Sequence, residues 1–139
     1  MKNISVEEFT TPAVHVVDQA ASIDIAFKIM KDNGIRHLPV SDGSQIVGII
    51  SERDVMSIYG KSWCDGVLVK DFMNESVLAV NKDDSLGEVA YQLASHKVGS
   101  AIVLNNRNRV YGIFTVTDAL NALVEVFVDD AYKRSDIRS

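Results

Sequence analysis

The sequence predicts an α/β (α+β) fold made of two pseudo-symmetric β-α-β-β-α repeats packed sheet to sheet. Three observations predict it. The order of apolar, polar and turn residues recurs after about half the chain. Each half alternates short β-branched runs with stretches of helical periodicity. The 139 residues are 47% hydrophobic and 24% charged, a composition that fits one globular domain with a real core.

The duplication is read by laying Ser22–Val40 over Ser85–Val103, sixty-three residues on and without a gap. Upstream, Val14–Val17 falls on Val77–Val80 at the same offset. Downstream, Gly48–Asp54 falls on Gly112–Asp118 at an offset of 64, so one residue has entered the second turn near Asn105–Asn108. The expected division is one domain over 1–139. Repeat one covers about 3–60, a linker about 61–70, repeat two about 71–127, and a C-terminal helical extension 128–139.

In order along the chain, Val14–Val17 is short and β-branched, hence a strand. Ser22 caps a helix whose face is Ile23, Ala26, Phe27 and Met30, and Gly34 closes it. His37–Val40 and Gln45–Ile50 form a hairpin around Ser41–Ser44. Ser51 caps a second helix, about Glu52 to Tyr59. The linker, Gly60–Asp71, holds no long Gly/Ser or Pro tract, so it is not a free swivel. In the second half, Leu86, Val89, Ala90 and Leu93 mark the helical face. Val98–Leu104 and Arg109–Phe114 form the hairpin, and Thr115 caps the last helix. Ala119–Val128 extends that helix with Leu120, Leu123, Val124 and Phe127 on one side. This face covers either the core of its own domain or a second copy of the chain.

Composition removes several function classes. The net charge is -5, and no basic stripe offers a nucleic-acid footprint. No apolar run approaches the roughly 18–20 residues of a membrane span, and the acidic, polar start is unlike a secretory signal. The expectation is therefore a cytoplasmic protein with no nucleic-acid or membrane partner. Cys64 is the single cysteine, read as a partly buried small hydrophobe. His15, His37 and His96 are scattered, without metal-ligand spacing. Gly-x-Ser-x-Gly, the phosphate-binding Gly-Lys loop and His-Glu-x-x-His are all missing. No catalytic residue, catalytic cofactor or metal is expected, and the chain reads as a non-enzyme.

The informative element is Gly-h-h-[Ser/Thr]-x-x-Asp, with h apolar. It occurs as Gly48-Ile-Ile-Ser51-Glu-Arg-Asp54 and as Gly112-Ile-Phe-Thr115-Val-Thr-Asp118. A hydroxyl at the strand exit caps a helix, and the first turn attracts anions through its unpaired N–H groups. An aspartate three residues on can accept hydrogen bonds from both hydroxyls of a ribose. The same spacing also describes an ordinary capping box. Its occurrence at matching places in both halves favours a ligand.

Together with Gly34-Ile-Arg-His-Leu-Pro-Val40, this pattern resembles the tandem cystathionine-β-synthase (CBS) domain pair, or Bateman module, over roughly residues 3–127. The second copy departs at Lys97–Val103, where Gly99-Ser100 replace Arg-His and Ile102 replaces the proline. The resemblance implies a regulatory module that binds an adenosine nucleotide (AMP, ADP, ATP) or S-adenosylmethionine between the repeats, senses energy state, and signals through a protein partner or as a homodimer. It implies two sites. The favoured one joins Ile113, Thr115, Thr117 and Asp118 to Thr10, Ala13, His15, Ile35, Arg36 and His37. Here Asp118 holds ribose, Thr115 and Thr117 face ribose or phosphate, Ile35 and Ile113 sandwich adenine, and Arg36 and His37 meet phosphate. The second joins Ile49, Ser51, Arg53 and Asp54 to Ser76, Leu78, Val98, Gly99 and Ser100. The alternative function is a ligand-free scaffold or an accessory subunit of a metabolic enzyme.

Overall fold

A computed structural model describes residues 3–13 and 15–128. In chain order the elements are a 3-10 turn (Val6–Phe9), β1 (Thr11–Pro12), β2 (Val17–Asp18), α1 (Ile23–Asn33), β3 (His37–Ser41), β4 (Ile46–Ser51), α2 (Glu52–Met56), α3 (Val69–Phe72), β5 (Leu78–Asn81), α4 (Leu86–His96), β6 (Ser100–Leu104), β7 (Val110–Thr115) and α5 (Val116–Phe127). The class is mixed α/β, with two sheets and five α-helices among the described residues. None of these helices is long and apolar enough to cross a membrane.

The chain divides into two compact units that do not follow the sequence repeats. One is Ala13–Val77; the other joins the described residues up to Pro12 to those from Leu78 onward. Each unit therefore combines a strand–helix–hairpin–helix body with a segment belonging to the other repeat.

In the Ala13–Val77 unit the sheet order is β2-β3-β4, β2 parallel and β4 antiparallel to β3. Ile23, Ala26 and Met30 of α1 meet Leu38, Val40 and Ile50 of the hairpin, with Val55 and Ile58 closing the core. Gly34 ends α1 in the left-handed region, at φ 63°, and its N–H and that of Ile35 both return to the Met30 carbonyl. Glycine takes that conformation without a Cβ penalty. The equivalent cap in the other half is Lys97, also left-handed at φ 56°.

The expected linker belongs to this unit's fold. Val69 is fully buried in its core. Its N–H donates to the Ala21 carbonyl (2.8 Å), and the Ile23 N–H donates to the Val67 carbonyl (3.2 Å). Asn74 then exchanges both backbone hydrogen bonds with Ile49 on the open edge of β4. A Cβ on Gly48 would lie 2.8 Å from Met73 Sδ and 2.9 Å from the Asn74 carbonyl oxygen. The glycine lets that segment pass.

The second unit repeats this design. Its sheet order is β1-β7-β6-β5. Val6 is fully buried among Val80, Val89, Leu93, Ala101, Val103 and Phe114. Ser5 bridges Ser85, as Leu68 bridges Ser22. Lys82 pairs with Glu7 at 3.5 Å. β1 lies antiparallel on β7, with Thr11 opposite Ile113. A Cβ on Gly112 would run into the Thr11 carbonyl and Thr10 Cγ2. Burying a valine side chain contributes about 1.5–3 kcal/mol, so each unit's core depends on a segment that precedes the other repeat.

Several expected boundaries shift. The first strand is Val17–Asp18 instead of Val14–Val17; Val14 lies outside the described residues, while His15 and Val16 are unpaired in the ladder. Ile49, opposite Pro39, sends its N–H and carbonyl outward to Asn74. Pro39 is thus a pair whose backbone groups face β2, and proline has no N–H to give there. In the other half Ile102 holds this place, and β5 runs two residues further back, with Leu78 and Ala79 opposite Ala101 and Ile102. The second helix is shorter than expected, stopping at Met56 before a turn that ends on Gly60 at φ 84°. There the Ser57 hydroxyl donates to the Asp54 carbonyl (2.6 Å). The last helix ends at Phe127; Val128 is extended at ψ 139°, and the remainder of the expected C-terminal helix lies outside the described residues.

Candidate functional site

Each hairpin delivers a hydroxyl to the first turn of the helix that follows it. Thr115 caps α5 and its oxygen accepts from the Asp118 N–H at 3.2 Å. Asp118 Oδ2 in return accepts from the Thr115 N–H (2.9 Å) and hydroxyl (3.1 Å). Ser51 and Asp54 repeat the arrangement at α2: 3.1 Å from the Asp54 N–H to the hydroxyl, 3.0 Å from the Ser51 N–H and 2.8 Å from its hydroxyl to Oδ2. Both are complete capping boxes. The capping reading is therefore correct as far as it goes, and it consumes only one oxygen of each carboxylate.

The backbone donors at these helix starts are also divided. The Val116 N–H goes to the Gly99 carbonyl at 3.0 Å, and the Glu52 N–H to the Arg36 carbonyl at 2.7 Å. The third N–H of each helix serves the capping hydroxyl. The N–H groups of Thr117 and Arg53 keep no acceptor among the described residues, which is where an anion is best received. α5 has twelve residues and α2 five, so the helix field is stronger at Asp118.

The residues expected at the favoured site fall in both units. Thr10, Ile113, Thr115, Thr117 and Asp118 belong to one, and Ala13, His15, Ile35, Arg36 and His37 to the other. Those of the second site divide likewise: Ile49, Ser51, Arg53, Asp54 and Ser76 against Leu78, Val98, Gly99 and Ser100. Within one unit, His37 stands opposite Ser51 in the hairpin register, as Ser100 stands opposite Thr115 in the other. Arg36 is exposed and lies 4.0 Å from Glu52. Ile35 packs half-buried against the core. Thr117 and Arg53 are exposed.

Two residues that sequence reasoning missed sit beside these clusters. The Thr10 hydroxyl turns inward to the Val6 carbonyl (2.7 Å). Its neighbour Thr11 reaches Asp118 instead, hydroxyl to Oδ1 at 3.5 Å. Asn74, which matches Thr11 in the repeat, folds its side chain onto its own loop, where Oδ1 accepts from the Ser76 N–H at 2.9 Å. The signal that would have found them is a long-range pairing, Thr11 with Asp118 across 107 residues and Asn74 with Ile49 across 25, which local pattern does not carry.

A further surface lies in the same unit as Asp118. Leu120, Leu123, Val126 and Phe127 of α5 are exposed, Phe127 by 68%. Of the buried residues, α5 contributes Ala122. Leu123, Val126 and Phe127, with Leu86, Ala90, Ala119 and Ala122, line a groove of about 420 Å³. In the other unit Phe27 stands at the position of Ala90 and stacks on Tyr59 at 4.1 Å; the small residue leaves the groove open.

Comparison with known proteins follows the sequence repeats, not the two compact units. CBSX2 in its AMP complex superposes with a TM-score of 0.68 at 26% identity, over 88% of this chain and 97% of that one. The CBS-pair protein CBSX2 from Arabidopsis thaliana gives 0.70 at 25%, over 92% and 99%. A homoserine O-acetyltransferase of Methanosalsum zhilinae is 30% identical over 127 residues, 89% of this chain but 25% of that protein. The chain spans 25% to 47% of the length of several such curated relatives. The CBS domain matches twice, over residues 6–61 and 69–125. With its internal duplication and its pair of strand–helix–hairpin–helix bodies, the chain belongs to the CBS domain family as a tandem CBS pair.

Proposed function

We propose that this chain is a non-catalytic regulatory module that binds an adenosine nucleotide. The observation that carries the reading is the pair of cap-bound carboxylates, Asp54 and Asp118, each with Oδ2 committed to its helix and Oδ1 available to a ligand hydroxyl. The AMP complex of the similar protein CBSX2 supports the ligand class. In this reading Asp118 accepts ribose hydroxyls, the Thr117 N–H receives phosphate, and Arg36, with its positive charge, and His37 meet phosphate from the first repeat. Asp54 and Arg53, with Gly99 and Ser100, form a second and weaker site. The ligand shifts the population of conformations in proportion to its differential affinity.

The signal leaves through another surface. The exposed apolar side of α5 and its groove fit a second copy of the chain or the apolar face of a protein partner, so a homodimer is proposed as the output form. A scaffold or enzyme-accessory role is the second reading, favoured by that same groove.

Isothermal titration with AMP, ADP, ATP and S-adenosylmethionine tests the function. One of them is expected to bind, and to raise the melting temperature by mass action. Asp118→Ala removes the main component and Asp54→Ala any second one. Binding by none of the four supports the scaffold reading instead.

A further inference from the structure

The first repeat carries a charge pair that the second lacks. Arg36, just before β3, and Glu52, the first residue of α2, are joined through the backbone, the Glu52 N–H donating to the Arg36 carbonyl at 2.7 Å. The matching bond in the other half runs from the Val116 N–H to the Gly99 carbonyl at 3.0 Å. The backbone contact therefore belongs to the repeat, and the charges are added to it: Arg36 falls on Gly99 and Glu52 on Val116. Arg36 Nε lies 4.0 Å from Glu52 Oε1, and both side chains are exposed. An exposed pair at that distance is weak, so a ligand takes Arg36 without first breaking a strong bond. With Nε toward Glu52, the two terminal nitrogens of the guanidinium remain for that ligand. The ligand cannot leave Glu52 behind, because the backbone bond holds the two residues side by side. Any group drawn to Arg36 arrives beside a carboxylate.

We propose that Glu52 is a specificity-determining residue that sorts adenosine ligands by charge. The inference rests on the proposed function, in which Arg36 meets the ligand's far end. A phosphate that reaches Arg36 is repelled by the Glu52 carboxylate, so each further phosphate charge gains less there. An end that bears a carboxylate and an ammonium group gains from both residues, the first on Arg36 and the second on Glu52. S-adenosylmethionine has such an end; AMP and ATP do not. The matching Gly99 and Val116 hold no charge with which to sort.

The test titrates adenosine, AMP, ATP and S-adenosylmethionine into the full chain and into its Glu52→Gln variant, at low and at high salt. Glu52→Gln is expected to tighten AMP by roughly two- to fivefold, the size of one exposed charge contact, and ATP by at least as much. It should weaken S-adenosylmethionine by a similar factor and leave uncharged adenosine unchanged. Each difference should shrink at high salt. Whichever charged ligand binds, the sign of its response decides. Arg36→Gln should weaken AMP and ATP, which ties the effect to this pair. Without ligand, the melting temperature of Glu52→Gln should match that of the unmodified chain, since the pair is exposed. A response of one sign for phosphates, S-adenosylmethionine and adenosine alike would overturn the assignment, since it marks a change in the fold of α2. Affinities indifferent to Glu52→Gln yet lost with Asp118→Ala would also overturn it and leave the nucleotide reading standing. No binding of any of the four, or of ADP, to the unmodified chain overturns the assignment and the nucleotide reading together.

Discussion

Val6 and Val69 occupy the same place in opposite halves. They are sixty-three residues apart, both are fully buried, and each sits in the core of the unit built on the repeat it does not precede. The chain passes between the units at Pro12–Ala13 and again at Val77–Leu78. Neither repeat completes its core from its own contiguous residues.

Truncating either valine should therefore act on the other repeat. Val6→Ala is expected to cost about 2 kcal/mol, within the range for deleting buried methyl groups. Hydrogen exchange should quicken in β6, β7 and α4. Val69→Ala should cost a similar amount and quicken β3, β4 and α1. Urea unfolding gives the magnitude. Faster exchange confined to residues 13–60 in the Val6 variant would contradict the exchanged arrangement.

The contrast between Pro39 and Ile102 predicts a second effect. Ile102→Pro removes the N–H that β6 offers to β5 and leaves an acceptor on that edge without its donor. The expected cost is about 1–3 kcal/mol, with loss of amide protection at Leu78 and retention at Val80. The shortened strand would match β2. Thermal denaturation and amide exchange together read this.

The first hairpin turn should be acid-sensitive, and the second should not. The Ser44 and Gln45 backbone N–H groups, then the Ser44 hydroxyl, hold the Asp42 carboxylate below its ordinary value of 3.8. A lowered folded-state value means that the turn is fully supported above that ordinary value and loses support as the pH falls through the lowered one. The matching residue, Asn105, accepts from the Arg107 and Arg109 N–H groups through an oxygen that does not titrate. Asp42→Asn should abolish the acid-induced shift of the Ser44 and Gln45 amide resonances while keeping the turn. A shift that survives this substitution would place its origin elsewhere.

Much of the fold is legible in the amino-acid order because its causes are local. Helical periodicity places α1 and α4. Gly34 marks a helix end, and the hydroxyl before Glu52 and Val116 marks two starts. The Ser/Thr-x-x-Asp spacing identifies the capped carboxylates, since the hydrogen bonds that orient Asp54 and Asp118 close within three residues. The lengths of the first strand and second helix are less legible. One depends on a proline's missing donor across a sheet, and the other on a serine hydroxyl and a left-handed glycine.

The duplication, the family, the helix faces and the two capped aspartates all follow from residue type at short spacing. Tertiary structure alone decided that residues 3–12 and the Val67–Asn74 stretch trade places between repeats, that Gly48 and Gly112 are the gaps through which they pass, and that Thr11 rather than Thr10 reaches Asp118. These relations rest on backbone pairing between residues far apart in the chain. No propensity or period of a single segment encodes which distant edge it will meet.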